Sequence, residues 1–224
     1  MVMRDGALSR EDRHDVLWLL DWRRRIAALY DEIRSAASPA DAHAVWQHER
    51  NHLFTTHRQS PVPHQRRQTF RLRVAPYDPR FRFRVPVDVD VAPARIEMPT
   101  STSATVPFER LGVIHLPAVG DLDVWWLLSY GGGLFVPIKD ASAGSTTYGG
   151  GRYIVDTAKG ADLGGDEGHL VIDLNFAYHP SCAYDSSWVC PLAPPGNTVP
   201  VPVKAGELVR EDLRDDHLGG HLGL

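Results

Sequence analysis

The chain has 224 residues, 43% of them hydrophobic and 23% charged, with a formal net charge of −4. That is the size of one large domain, or of a domain with a helical appendage, and the composition is that of a globule rather than a disordered chain. No basic excess points to nucleic acid, and no apolar run reaches the length of a signal-peptide core or a membrane span. A soluble, cytoplasmic protein without nucleic-acid or membrane partners is therefore expected. In such a reducing compartment the two cysteines are expected as thiols, although their closeness in sequence leaves a cross-link open.

Residues 9–37 predict a long helix. Ser9 with Asp12 three residues on fits an N-terminal cap, and Val16, Leu19, Leu20, Trp22, Ile26, Leu29, Tyr30 and Ile33 recur at helical spacing. Arg23, Arg24 and Arg25 fall on its solvated side, with Asp21 one turn before Arg25. A second helix starts at once. Ser38 is its cap, Pro39 takes the first turn, and Ala42, Val45, Trp46, Leu53 and Phe54 form its apolar stripe. That helix carries His48-Glu49-Arg50-Asn51-His52, formally a zinc-protease pattern. No further ligand follows at the expected spacing, so two solvated histidines are the simpler reading and no metal is assigned.

Residues 57–69 lack periodicity and read as a linker or surface loop. From Phe81 to Val91 the period becomes two, which predicts a strand with one wet face, and Pro86 places it at a sheet edge or a bulge. Further strands are predicted over 95–98, 105–110, 112–116, 123–129, 134–138, 152–156, 169–175 and 199–203. Short strands broken by Gly, Pro, Asp and Ser indicate antiparallel pairing. The expected fold is α+β: an N-terminal helix pair (1–57) packed on a mainly antiparallel β sandwich or partly open barrel (58–208), followed by a flexible tail (209–224).

Several motifs occur in fixed order: Phe135-Val136-Pro137-Ile138-Lys139-Asp140, Thr147-Tyr148-Gly149-Gly150-Gly151-Arg152-Tyr153, Ile172-Asp173-Leu174-Asn175, Pro180-Ser181-Cys182-Ala183-Tyr184, Cys190-Pro191-Leu192 and Ala205-Gly206-Glu207. In this pattern, and in upstream features at Trp22-Arg23, Ser60-Pro61 and Met98-Pro99-Thr100, the chain resembles the family called domain of unknown function 1684. The resemblance implies no activity. It also sets His179 apart, because the family often has Asn there.

The candidate chemistry lies within these motifs. The triple glycine with Arg152 could cradle an anion, but no Lys-Ser/Thr and no helix follow, and a tight turn explains it as well. Asp173 and Asn175 stand two apart on a predicted strand and so share a face. They could floor a pocket, or Asp173 could pair with Arg152 while Asn175 caps the next turn. His179, Cys182 and Cys190 could act as zinc ligands, as a cross-link, as a nucleophile with its base, or as plain packing; spacing favours packing or a cross-link.

The expected function is a small-molecule site, conceivably hydrolytic, at the glycine turn and the Cys/Pro loop. Asp173, Asn175, His179 and Cys182 are its candidate catalytic residues, and Tyr148, Arg152, Tyr178, Tyr184 and Cys190 its candidate ligand contacts. The rival is a non-catalytic binding or structural module in which the same groups only lock the loop. The sequence identifies no cofactor and fixes neither enzyme status nor oligomeric state.

Overall fold

A computed structural model describes residues 10–209. The cap expected at Ser9 and the tail beyond Val209 lie outside the described residues.

Helix α1 spans Arg10–Ser35 and α2 spans Pro39–Thr56. Ser38 caps α2 by accepting from the Asp41 amide, as the Ser-Pro-x-Asp order requires. The stripe read for α1 is buried over Ile26, Leu29, Tyr30 and Ile33, while Leu20 stays exposed. Arg25 pairs with Asp21 at 2.8 Å on the wet side. In α2, Ala42, Trp46, Leu53 and Phe54 face inward.

Five strands form an antiparallel meander: β2 (Arg95–Pro99), β3 (Thr105–Leu116), β4 (Gly120–Leu127), β5 (Leu134–Ile138) and β6 (Arg152–Asp156), in the spatial order β2-β3-β4-β5-β6. A smaller antiparallel sheet holds β1 (Arg82–Pro86), β8 (His169–Asp173) and β7 (Gly165–Asp166), in the order β1-β8-β7. The two sheets do not close into a barrel. The fold is α+β, as the strand pattern indicates.

Alternation along the meander sends side chains to two cores. Met98, Phe108, Trp125, Phe135 and Tyr153 pack with the helices, against Ile26, Leu29 and Trp46. Ile114, Leu122, Val124, Val136, Ile138 and Ile154 pack with Ile172 and Leu174 of the smaller-sheet side. Each such buried Leu, Ile or Val contributes roughly 1.5–3 kcal/mol. β6 ends the order of strands, yet it too is covered on both faces, by Tyr153 in one core and Ile154 and Val155 in the other, and is buried at every position.

Several boundaries differ from the sequence reading, each for a local reason. Residues 105–110 and 112–116 are one strand, with a register shift between Arg110 and Gly112. A Cβ on Gly112 would lie 2.4 Å from the Asp88 carbonyl, so the bulge sits where another backbone crosses closely. The strand read over 81–91 is continuous only as Arg82–Pro86, on the edge of its sheet; beyond Pro86 the chain makes a single bridge, Asp88 to Val113 of β3. Residues 199–203 form no strand. They are held by single bonds such as Val199 N to Lys139 O at 2.9 Å. The segment over 57–69 is a tied loop: the Arg67 guanidinium donates to the carbonyls of His57 and Val62 at 2.9 and 2.8 Å.

The glycine run is a tight turn running straight into β6. Gly151 has φ +91°, its amide donates to the Tyr148 carbonyl at 3.0 Å, and a Cβ there would meet the Ile138 carbonyl at 2.8 Å. The left-handed backbone alone should cost Gly151→Ala about 1–2 kcal/mol, and the clash adds to it. Urea unfolding would read this as a lower midpoint; an unchanged midpoint would mean that the turn relaxes freely.

Candidate functional site

The motif residues converge around two buried ion pairs. On α2, Trp46, Arg50 and Phe54 follow one another at four-residue spacing and share a face. Arg50 therefore enters the apolar interior. Its guanidinium lies 4.5 Å from the Phe54 ring centroid and 4.6 Å from that of Tyr178. Its Nε donates to Glu207 Oε1, and its Nη2 reaches the His179 carbonyl at 3.5 Å.

Glu207 is fully buried and its other oxygen is saturated. Oε2 accepts from the His179 amide at 2.7 Å and from the Tyr184 hydroxyl at 2.6 Å. Burial by itself would raise this acid's pKa. The Arg50 charge and these donors outweigh it and hold the carboxyl below its ordinary range.

The second pair is Arg152 with Asp140, at 2.7 Å and out of solvent. Arg152 also donates to the carbonyls of Val203, Ala205 and Glu207. Asp140 accepts from the Val203 amide at 3.2 Å and from Ser142. The two arginines thus tie the closing segment 203–207 to α2 and to β6. The pairing of Arg152 with Asp173 expected from sequence does not form.

Asp173 meets Arg82 at 3.2 Å instead, and the Tyr77 hydroxyl at 3.5 Å. It also ends β8: its Oδ1 accepts from the Asn175 amide at 3.0 Å and opens the 3-10 turn Leu174–Phe176. Asp173 and Asn175 therefore do not share a strand face, because the strand stops between them. They touch through Asn175 Nδ2, at 2.8 Å. The rest of the Asn175 amide is engaged with the Asp78 backbone, at 2.9 Å on each side. No donor of Asn175 is left pointing at a cavity.

His179 lies near Glu207 but acts as an acceptor elsewhere. Its Nε2 takes the Tyr148 amide hydrogen at 3.2 Å, so the neutral ring carries its proton on Nδ1, 3.8 Å from Glu207 Oε2. Burial pushes its pKa down to about 4, against the pull of Glu207. Cys182 and Cys190 are free, buried thiols, and the Cys182 amide donates to Cys190 Sγ at 3.3 Å. Tyr148 is half-buried beside His179, their rings 6.4 Å apart. The histidines of the His48–His52 pattern face solvent, His48 with 80% of its side chain exposed. Among the described residues no cluster of His, Cys, Asp and Glu could hold a metal ion.

A cavity of about 60 Å³ opens beside Arg50, between the helix pair and the β layer. Trp22, Tyr30, Trp46 and Tyr178 give it an aromatic wall, and Arg50, Lys159, His179 and Ser181 also line it. Lys159 is about half exposed, 3.4 Å from Asp156 and 5.5 Å above the Tyr153 ring. No carboxylate lines the cavity.

Residues 68–208 match the family described as Protein of unknown function (DUF1684). The chain belongs to that family. Among solved structures, it is similar to the solution NMR structure of an uncharacterized protein of Haloarcula marismortui, with 31% identity and a TM-score of 0.54. The match covers 74% of this chain and 91% of the other. No protein of curated function matches. The DUF1684 match contains both cysteines, both clamped carboxylates and Arg152, whereas Arg50 comes from α2, upstream of it.

Sequence reasoning passed over Arg50, Asp140 and Glu207 as members of the site. Arg50 had a legible signal, since it falls on the apolar stripe between Trp46 and Phe54. Asp140 and Glu207 end two of the quoted motifs, but nothing local marks them as buried. No helix among the described residues is long and apolar enough to cross a membrane.

Proposed function

We propose that the protein is a non-catalytic binding module for a small anionic molecule, and that the charged end of this ligand enters the cavity of about 60 Å³ beside Arg50. The observation that carries the reading is the lining: Arg50 and Lys159, each backed by a carboxylate outside the lining (Glu207 and Asp156), beside an aromatic wall. Arg50 is held in place from behind by Glu207, and the outer edge of its planar fork suits a carboxylate or phosphate. Lys159 at the rim supplies a second charge, and Trp22 and Trp46 supply apolar contact.

Asp173, Asn175 and His179 support the module rather than reacting. The polar atoms of Asp173 and Asn175 are bonded within the protein, and the accepting nitrogen of His179 is taken by the Tyr148 amide. A hydrolytic role at the glycine turn has no free base or oxyanion donor among these groups.

A thermal-shift screen of small aromatic carboxylates and phosphates tests the proposal. At a hundredfold excess over Kd, a bound ligand stabilises by about 2.7 kcal/mol, which for a chain of this size is a rise of roughly 5–10 °C in Tm. Lys159→Met should fold normally, because that side chain is half exposed, and should weaken the shift. If no anion raises Tm, or if Lys159→Met leaves the shift intact, the reading fails.

A further inference from the structure

The chain has two cysteines, and the fold brings them together. Each is buried, with 3% and 2% of the residue exposed. The Cys182 amide donates to Cys190 Sγ at 3.3 Å. Both are held from outside the loop. Cys190 is fixed by Ser101, whose hydroxyl accepts its amide at 3.1 Å and whose amide donates to its carbonyl at 2.9 Å. Cys182 sits on the 3-10 turn Ser181–Ala183 and takes a hydrogen bond from the Tyr148 hydroxyl. The turn between the two cysteines is their only separation in sequence, and Ser186, Ser187 and Val189 within it are exposed.

We infer that Cys182 and Cys190 form a hydroperoxide-reactive dithiol that closes into a disulfide within the chain. The geometry that carries it is the approach of the two buried cysteines: Cys190 Sγ lies 3.3 Å from the Cys182 amide, and Ser101 holds the Cys190 backbone through two hydrogen bonds. Tyr148, Tyr153 and Lys159 are the other titratable groups acting on the pair, and the Lys159 charge favours a thiolate there.

The chemistry balances with one hydroperoxide. One cysteine, as its thiolate, attacks hydrogen peroxide; an S–O bond forms, the O–O bond breaks, and the departing oxygen leaves as water after taking a proton. The other cysteine then attacks the sulfenic sulfur. The S–S bond forms, the S–O bond breaks, and a second water leaves with the second thiol's proton. Both thiols are oxidised and the peroxide is reduced. The product is an intramolecular disulfide across the loop. The inference is independent of any ligand in the cavity beside Arg50.

The test uses the full wild-type chain and hydrogen peroxide. After native exposure, the protein is denatured, its remaining thiols are alkylated, and its intact mass is read. Both thiols should vanish together in a monomer lighter by two hydrogens. In Cys190→Ser and in Cys182→Ser no disulfide should form, and dimedone should trap a sulfenic acid on the remaining cysteine. Retention of both thiols, an intermolecular disulfide, or over-oxidation of one cysteine without a disulfide would each overturn the inference. The mass of the oxidised wild-type chain decides the matter even if a variant does not fold.

Discussion

Glu207→Ala is expected to destabilise the fold by about 3–5 kcal/mol, since it leaves the Arg50 charge buried without its partner. The same change removes the acceptor for the His179 amide and the Tyr184 hydroxyl, two further buried donors. At this chain length the loss corresponds to a fall in Tm of roughly 6–20 °C, readable by calorimetry or by urea unfolding. Removing both charges together should cost less than removing Glu207 alone, because Arg50→Met with Glu207→Leu leaves no orphaned ion. A double-mutant cycle therefore separates the pair from mere packing. If Glu207→Ala shifts the midpoint by less than about 1 kcal/mol, the carboxylate is not the clamp that its contacts describe.

Acid should weaken the protein well before its carboxylates titrate, and His179 is the reason. Its folded pKa is about 4 against an ordinary value of 6.5. A base with a depressed folded pKa is neutral in the native state, while the unfolded chain takes up a proton first. Stability from this group is complete above pH 6.5, declines as pH falls from 6.5 to about 4, and levels off below. The full decline is about 3 kcal/mol. His43, also held down by burial, contributes in the same direction.

The carboxylates act lower on the pH scale. Glu207 and Asp140 have folded values below their ordinary 4.5 and 3.8. Their contribution is present above those ordinary values and is lost as pH falls through the folded ones. Urea unfolding at several pH values should therefore show two regions of loss. His179→Asn should flatten the upper region and leave the lower one. A variant with the wild-type slope between pH 6.5 and 4 would show that His179 is not buried as a neutral base.

The local pattern carried the fold class for clear reasons. The Ser38-Pro39 start of α2 is a matter of adjacent backbone groups, and the alternation from Phe81 to Val87 appears directly as half-buried and exposed positions. The limits of β5 and β6 were legible because apolar runs bounded by Gly and Asp leave little choice. Errors arose where a long-range partner intervened. Asp173 and Asn175 looked like one strand face, but Asp173 caps a turn that tertiary bonds to Asp78 and Arg82 keep in place.

The sequence by itself determined the helix pair, the antiparallel strands and the motifs that place the chain in its family, since each depends on residues near one another along the chain. Tertiary structure alone decided which charges meet. Arg152 chose Asp140 over Asp173, Arg50 found Glu207 from 157 positions away, and the space beside Arg50 was left without an acid. Ion pairing in a low-dielectric interior depends on distance and on shared burial, and neither quantity is written in the order of residues.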